Sequence, residues 1–122
     1  MVYEQFLTTV SLVFIVNHRT PDHIYVDGKP VFVQFLQYQL ATLLAEHPGV
    51  CVPYDTVNRE LWESKNRIVE PGQIHYQVRM LRKAINESVK HRDKLIKTIT
   101  KHGLVLDLSP DQVLIVPLSP GP

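Results

Sequence analysis

One stretch constrains the fold of this chain more than any other: residues 73–87, QIHYQVRMLRKAINE. Ile74, Val78, Leu81 and Ile85 recur at the three- and four-residue steps of one helical face. A helix with a single apolar stripe must lay that stripe on a core, so the spacing predicts a core-packed helix. At roughly 100° per residue, Tyr76, Met80 and Lys83 fall on the opposite side, with Gln73, Gln77 and Arg79 on its flanks. Amides, an aromatic ring, a thioether and cations make an unusual outer face. A merely solvated helix more often alternates Glu with Lys. Amides and Arg pair bidentately with base edges, and apolar tips can touch a thymine methyl. The face therefore suits the groove of a double helix; the competing reading is an ordinary surface helix that carries a few amides.

Charge distribution favours the first reading. The net charge of the 122 residues is only +1. Residues 65–103 nevertheless hold ten Lys or Arg against three Asp or Glu, and the remainder holds three basic against nine acidic residues. Such segregation marks a polyanion-facing side. Surface ion pairs between two halves are worth only ~0–1 kcal/mol each and give little reason for it. The length suits one domain, and 44% apolar residues suffice for one modest core. The longest apolar run, 10–16, is broken by Ser11 and falls far short of the ~20 residues that span a bilayer. No charged leader with a cleavage site opens the chain. Cys51 stands alone, which rules out an internal disulfide framework and fits a reducing cytosol.

Along the chain, 8–16 is rich in β-branched and aromatic residues and predicts a strand. Residues 23–26 and 31–33 predict two more, joined by the hairpin signal Asp27-Gly28, with Pro30 restricting that pairing to a sheet edge. Helices are expected over 35–46, ended by His47-Pro48-Gly49, and over 54–63, entered after Pro53. A loop covers 64–72. The central helix follows and is expected to run toward His91. Residues 95–108 read as a hairpin with a basic turn at Lys101-His102-Gly103, and 113–116 suggests a last strand. The domain is expected to span 1–108, with 109–122 as an extension or linker.

The order sheet, helix, helix, loop, helix, basic hairpin is that of an α+β winged helix-turn-helix: an N-terminal antiparallel sheet, a three-helix core and a C-terminal β-hairpin wing. The segments HPGVCVPYDTVNRELW, IHYQVRMLRKAI and LIKTITKHGLVL resemble the OmpR/PhoB-type winged-helix DNA-binding domain of bacterial transcription regulators. The resemblance runs from about residue 31 to 108. It rests on the spacing of Trp62, Leu81-Arg82-Lys83, Thr98 and Gly103. The Thr98-Lys101-Gly103 wing is similar to the ToxR/CadC/TcpP branch, in which this domain precedes a membrane anchor. Several positions depart from the pattern: Leu104 replaces the aromatic after the wing glycine, Pro53 a Ser or Thr cap, and Met80 an Arg. Leu36 and Gln37 stand where the first helix usually has Thr and Glu.

The resemblance implies a sequence-specific regulator, with helix 73–87 in the major groove of double-stranded DNA and wing 95–108 on the adjacent backbone or minor groove. Gln73, Tyr76, Gln77 and Met80 are the candidates for base contacts. Arg79, Lys83, Lys97 and Lys101 are the candidates for phosphate. Thr98, Thr100 and His102 belong to the wing, where a threonine could bond a phosphate. Arg82 lies nearer the core side, suited equally to an internal acidic partner and to DNA. The loop 64–72 corresponds to the segment through which the family contacts RNA polymerase, and a homodimer or a partner regulator is also implied. The branch likeness would put this part in the cytoplasm, with a transmembrane segment and periplasmic sensor following residue 122. The alternative is a winged-helix protein–protein interaction module acting as a co-regulator without base readout, for which Tyr76 and Met80 exposed together would serve.

Enzymatic chemistry finds no motif. There is no Gly-rich phosphate loop, nucleophile elbow or HExxH signature. His18, His23, His47, His75, His91 and His102 are scattered, without ligand spacing to Cys51. No acidic pair suggests a general acid and base. No cofactor, metal or small-molecule substrate is expected.

Overall fold

A computed structural model of the chain describes residues 12–62 and 72–118. Three short strands open it: β1 (Phe14–Asn17), β2 (His23–Val26) and β3 (Lys29–Phe32), paired antiparallel in sequence order. Residues 8–11 of the expected first strand lie outside the described residues. Asp27 and Gly28 both take positive φ, 52° and 79°, the mirror-image turn whose twist suits a two-residue hairpin. Pro30 has no N–H to give a neighbour, and β3 duly lies at the sheet edge.

The opposite edge departs from expectation. The sheet order is β3-β2-β1-β7, and β7 (Val113–Val116) runs parallel to β1, with Phe14 opposite Val113 and Asn17 opposite Val116. A 3-10 turn, Pro110–Gln112, leads into it. The hydrogen-bonded fold therefore continues past residue 108, and the sheet is mixed rather than purely antiparallel. The physical reason is backbone pairing: an isolated apolar VLIV run cannot satisfy its backbone alone, whereas the slot beside β1 pairs it and covers Val113 and Ile115 in part.

Three helices follow: α1 (Phe35–Ala45), which packs on β1 and β7, α2 (Tyr54–Leu61), which packs on α1 and on the strand that leads into it, and α3 (Gln73–Ser88), which packs on α1 and β3. In α1, Leu40, Ala41 and Leu44 are fully buried. It ends at the predicted breaker, with Gly49 in the left-handed region at φ 75°. A two-residue strand, β4 (Val52–Pro53), leads into α2, which buries Val57 and Leu61. In α3, Val78, Leu81 and Ile85 are buried and Ile74 is partly covered. The helix stops at Ser88, short of His91, whose own φ is 71°.

The wing follows a 3-10 turn, Arg92–Leu95, and consists of β5 (Ile96–Ile99) and β6 (Gly103–Leu106), with β4 on the far side of β6. Its turn is 100–102, one residue earlier than the sequence suggests. Gly103 is instead the first residue of β6, and its lack of a side chain has a steric cause. A Cβ there would lie 2.0 Å from the Val52 carbonyl oxygen. One continuous core joins both sheets and all three helices, including Phe14, Ile24, Leu40, Leu61, Leu81 and Leu104. Each such side chain contributes about 1.5–3 kcal/mol through burial. Arg92 ties the halves together at the surface, its Nε and Nη2 donating to the Asp27 carboxylate at 2.6 and 3.2 Å.

Candidate nucleic-acid interface

The outer face of α3 holds Tyr76, Arg79 and Lys83, all exposed. The Arg79 guanidinium lies 5.6 Å from the Tyr76 ring centroid, a cation–π contact that pre-orders both side chains on that face. Gln73, the first helical residue, is half-buried. Met80 is half-buried as well, in a groove of about 420 Å³ that it shares with Phe32, Val33, Gln37, Ala84 and Glu87.

Gln77 is the clear correction. The sequence puts it on the outer flank, but only 7% of it is exposed. Its Oε1 accepts from Gln37 Nε2 at 3.4 Å, and its Nε2 donates to Gln73 Oε1 at 3.5 Å. The periodicity locates the buried stripe of α3 correctly but not which flank a neighbour covers. Here α1 and β3 cover the side holding Gln77 and Ala84, and Met80 lies half-buried at its margin, toward the outer face. Gln77 cannot touch a base from there, and it leaves the set of candidate contacts.

The other flank faces the wing. Arg82 donates from Nε to the Ile96 carbonyl and from Nη2 to Thr98 Oγ1, both at 2.8 Å. Its partners are thus neither an acidic residue nor solvent: it fastens the first wing strand to α3. The Thr98 hydroxyl, accepting from Arg82, keeps its own proton to donate outward. Alternation along β5 puts Lys97 on the opposite face of the strand from Thr98. Lys97 Nζ pairs there with Asp107 at 2.7 Å, so of the four cations expected at phosphates it is the one turned away from the Thr98 face and already partnered. Thr100, Lys101 and His102 form the exposed tip. The turn is closed by the His102 N–H donating to the Ile99 carbonyl at 2.9 Å, with Lys101 left-handed at φ 65°.

The tip is also held from behind. The Tyr54 N–H, at the start of α2, donates to the His102 carbonyl at 3.2 Å, and the Tyr54 ring meets His75 of α3 edge-on at 5.5 Å. Wing tip, α2 start and α3 therefore form one connected surface. His75 is exposed on this flank and was not among the sequence candidates. The signal for it was weak, because it lies a quarter turn from the helix pole and only the position of the wing makes that flank matter. Residues 64–71 of the loop linked with RNA polymerase lie outside the described residues.

Residues 28–106 match the model of the family described as transcriptional regulatory protein, C terminal. The chain belongs to that family. No curated protein sequence matches it significantly. Among solved structures, it is similar to the DNA-binding domain of E. coli CadC. The two share 20% identity and a TM-score of 0.64, over 80% of this chain and 94% of that one. It is also similar to the C-terminal domain of the nisin resistance regulator NsrR, a lantibiotic response regulator, at 21% identity and a TM-score of 0.63, covering 79% and 93%. The family match spans β3 through β6 and so includes the three helices and both wing strands, and it confirms the winged helix-turn-helix fold. β7 lies beyond the matched segment of this transcriptional regulatory domain. Among the described residues no helix is long and apolar enough to cross a membrane.

Proposed function

We propose that this DNA-binding transcription regulator domain sets α3 in the major groove of a duplex and lays the β5–β6 wing on the adjacent backbone or minor groove. Gln73, Tyr76 and Met80 then face base edges. Arg79, Lys83 and Lys101 face phosphates, with Thr98, Thr100 and His102 contributing wing contacts. The observation that carries this reading is the pair of hydrogen bonds that Arg82 donates to β5. It makes helix and hairpin one platform rather than two separate cationic features.

The test is a duplex titration with substitutions of two kinds. Arg79→Ala and Lys101→Ala should weaken binding to all sequences alike, whereas Tyr76→Ala should flatten sequence preference by about 1–3 kcal/mol at one position. A wild-type domain that binds no duplex at low salt would remove the reading. The protein–protein alternative draws on the exposed Phe32, 68% accessible beside the Met80 groove. Binding to random duplex at two salt concentrations separates the two: a salt-independent response with partner capture retained favours the alternative.

The finer partners belong to the same proposal. They are RNA polymerase through 64–72, a second copy or another regulator on a neighbouring half-site, and a cytoplasmic position beneath an inner-membrane anchor. Fractionating the full-length protein tests the last of these.

A further inference from the structure

Three glutamine side chains, Gln37 of α1 and Gln77 and Gln73 of α3, form one chain of hydrogen bonds that starts from the residue capping α1, and its direction is not free. It begins at the Gln34 backbone N–H, which can only donate, and Gln37 Oε1 accepts it at 3.0 Å. Gln37 is thereby left facing α3 with its Nε2, which donates to Gln77 Oε1 at 3.4 Å. Gln77 in turn offers Nε2 to Gln73 Oε1 at 3.5 Å. The last two contacts are long for amide hydrogen bonds, and it is their direction that carries the argument. Gln37 and Gln77 are only 4% and 7% exposed, the buried polar side chains among the described residues. Neither has bulk water as a substitute partner. Reversing either amide would set oxygen against oxygen or NH2 against NH2 where both must be satisfied.

We propose that this relay fixes Gln73 as a donor. Its Oε1 is held inward by Gln77, so its Nε2 is the group presented at the start of the recognition helix. A free glutamine pairs bidentately with adenine, accepting from N6 while donating to N7. With the oxygen turned inward that pairing is lost. Gln73 selects instead an edge made of acceptors, guanine O6 and N7 first, and discriminates against the cytosine N4 amine. Gln37 and Gln77 act through Gln73, as positioning residues. The inference rests on α3 lying in the major groove as proposed above.

Selection of bound duplexes from a random pool tests it, with thermal melts to confirm that each variant folds. Gln73→Ala identifies the base position by flattening it, a loss of about tenfold in discrimination. Gln77→Glu keeps the acceptor that Gln37 needs but can only accept from Gln73. Gln73 must then turn its Nε2 inward and its Oε1 outward. Preference at that same position should switch from guanine toward the amine-bearing cytosine or adenine. Gln77→Met keeps the side-chain length and removes the polarity, so Gln73 turns freely and adenine becomes acceptable; this variant decides the matter if the carboxylate destabilises the fold. Unchanged guanine preference in a folded Gln77→Glu or Gln77→Met domain overturns the relay while leaving DNA binding intact. Absence of duplex binding by the wild-type domain overturns both.

Discussion

A glycine at position 103 leaves room for another element's backbone. The Val52 carbonyl occupies the space a side chain would need, 2.0 Å from the hypothetical Cβ. No rotamer can relieve that clash, because the obstacle is main chain. Gly103→Ala should force β4 away from β6 and cost about 1–3 kcal/mol, read as a melting temperature lower by several degrees. Tyr38 offers a second test at this scale. Burial raises its phenol above the ordinary 10.0, against a smaller lowering effect of Thr42. The folded state thus holds the proton more tightly than the unfolded chain. Its contribution is complete below pH 10 and is lost as pH rises through the folded value. Melting temperature should fall on the alkaline side, and Tyr38→Phe should flatten that limb.

Elements are joined by side chains that periodicity cannot foresee. Arg82→Lys can reach one of the two acceptors on β5 but not both. The expected loss is about 1 kcal/mol, with faster hydrogen exchange at the His102 amide, whose turn depends on β5 being held, and weaker duplex binding. What was legible in the sequence follows from this level. The apolar stripe of α3, the Asp27-Gly28 turn, the edge placement forced by Pro30 and the break at Gly49 depend on local backbone chemistry, and each stands where the residues indicate. Pairings at long separation were not legible. β7 beside β1 joins positions about a hundred residues apart, and no local feature of VLIV names its partner. For the same reason Gln77 reads as a surface amide until α1 is laid against it, and His75 reads as peripheral until the wing arrives. Local patterns supplied the order of elements, and the family resemblance the way they assemble, but neither supplied the flank on which each side chain ends.

At the scale of the molecule, the candidate phosphate contacts set a measurable slope. Arg79, Lys83 and Lys101, each engaging a phosphate, give roughly −3 for log affinity against log salt. Lys101→Ala should make that slope shallower by about one. Lys97→Ala should leave it nearly unchanged, because Lys97 lies on the other face of β5 and is paired with Asp107. A slope that shifts equally for both would show that the far side of the hairpin also meets the polyanion.

The bonds from Arg82 to β5, the seat of Gly103 on Val52 and the Tyr54–His102 link set a fixed span between the two gripping elements. A reader built to one span cannot follow natural variation in groove width. The duplex must make the adjustment, so bases that touch no side chain are still chosen by how readily they kink or overtwist. Flexible TA and CA steps should recur between the two contact zones of the selected sites.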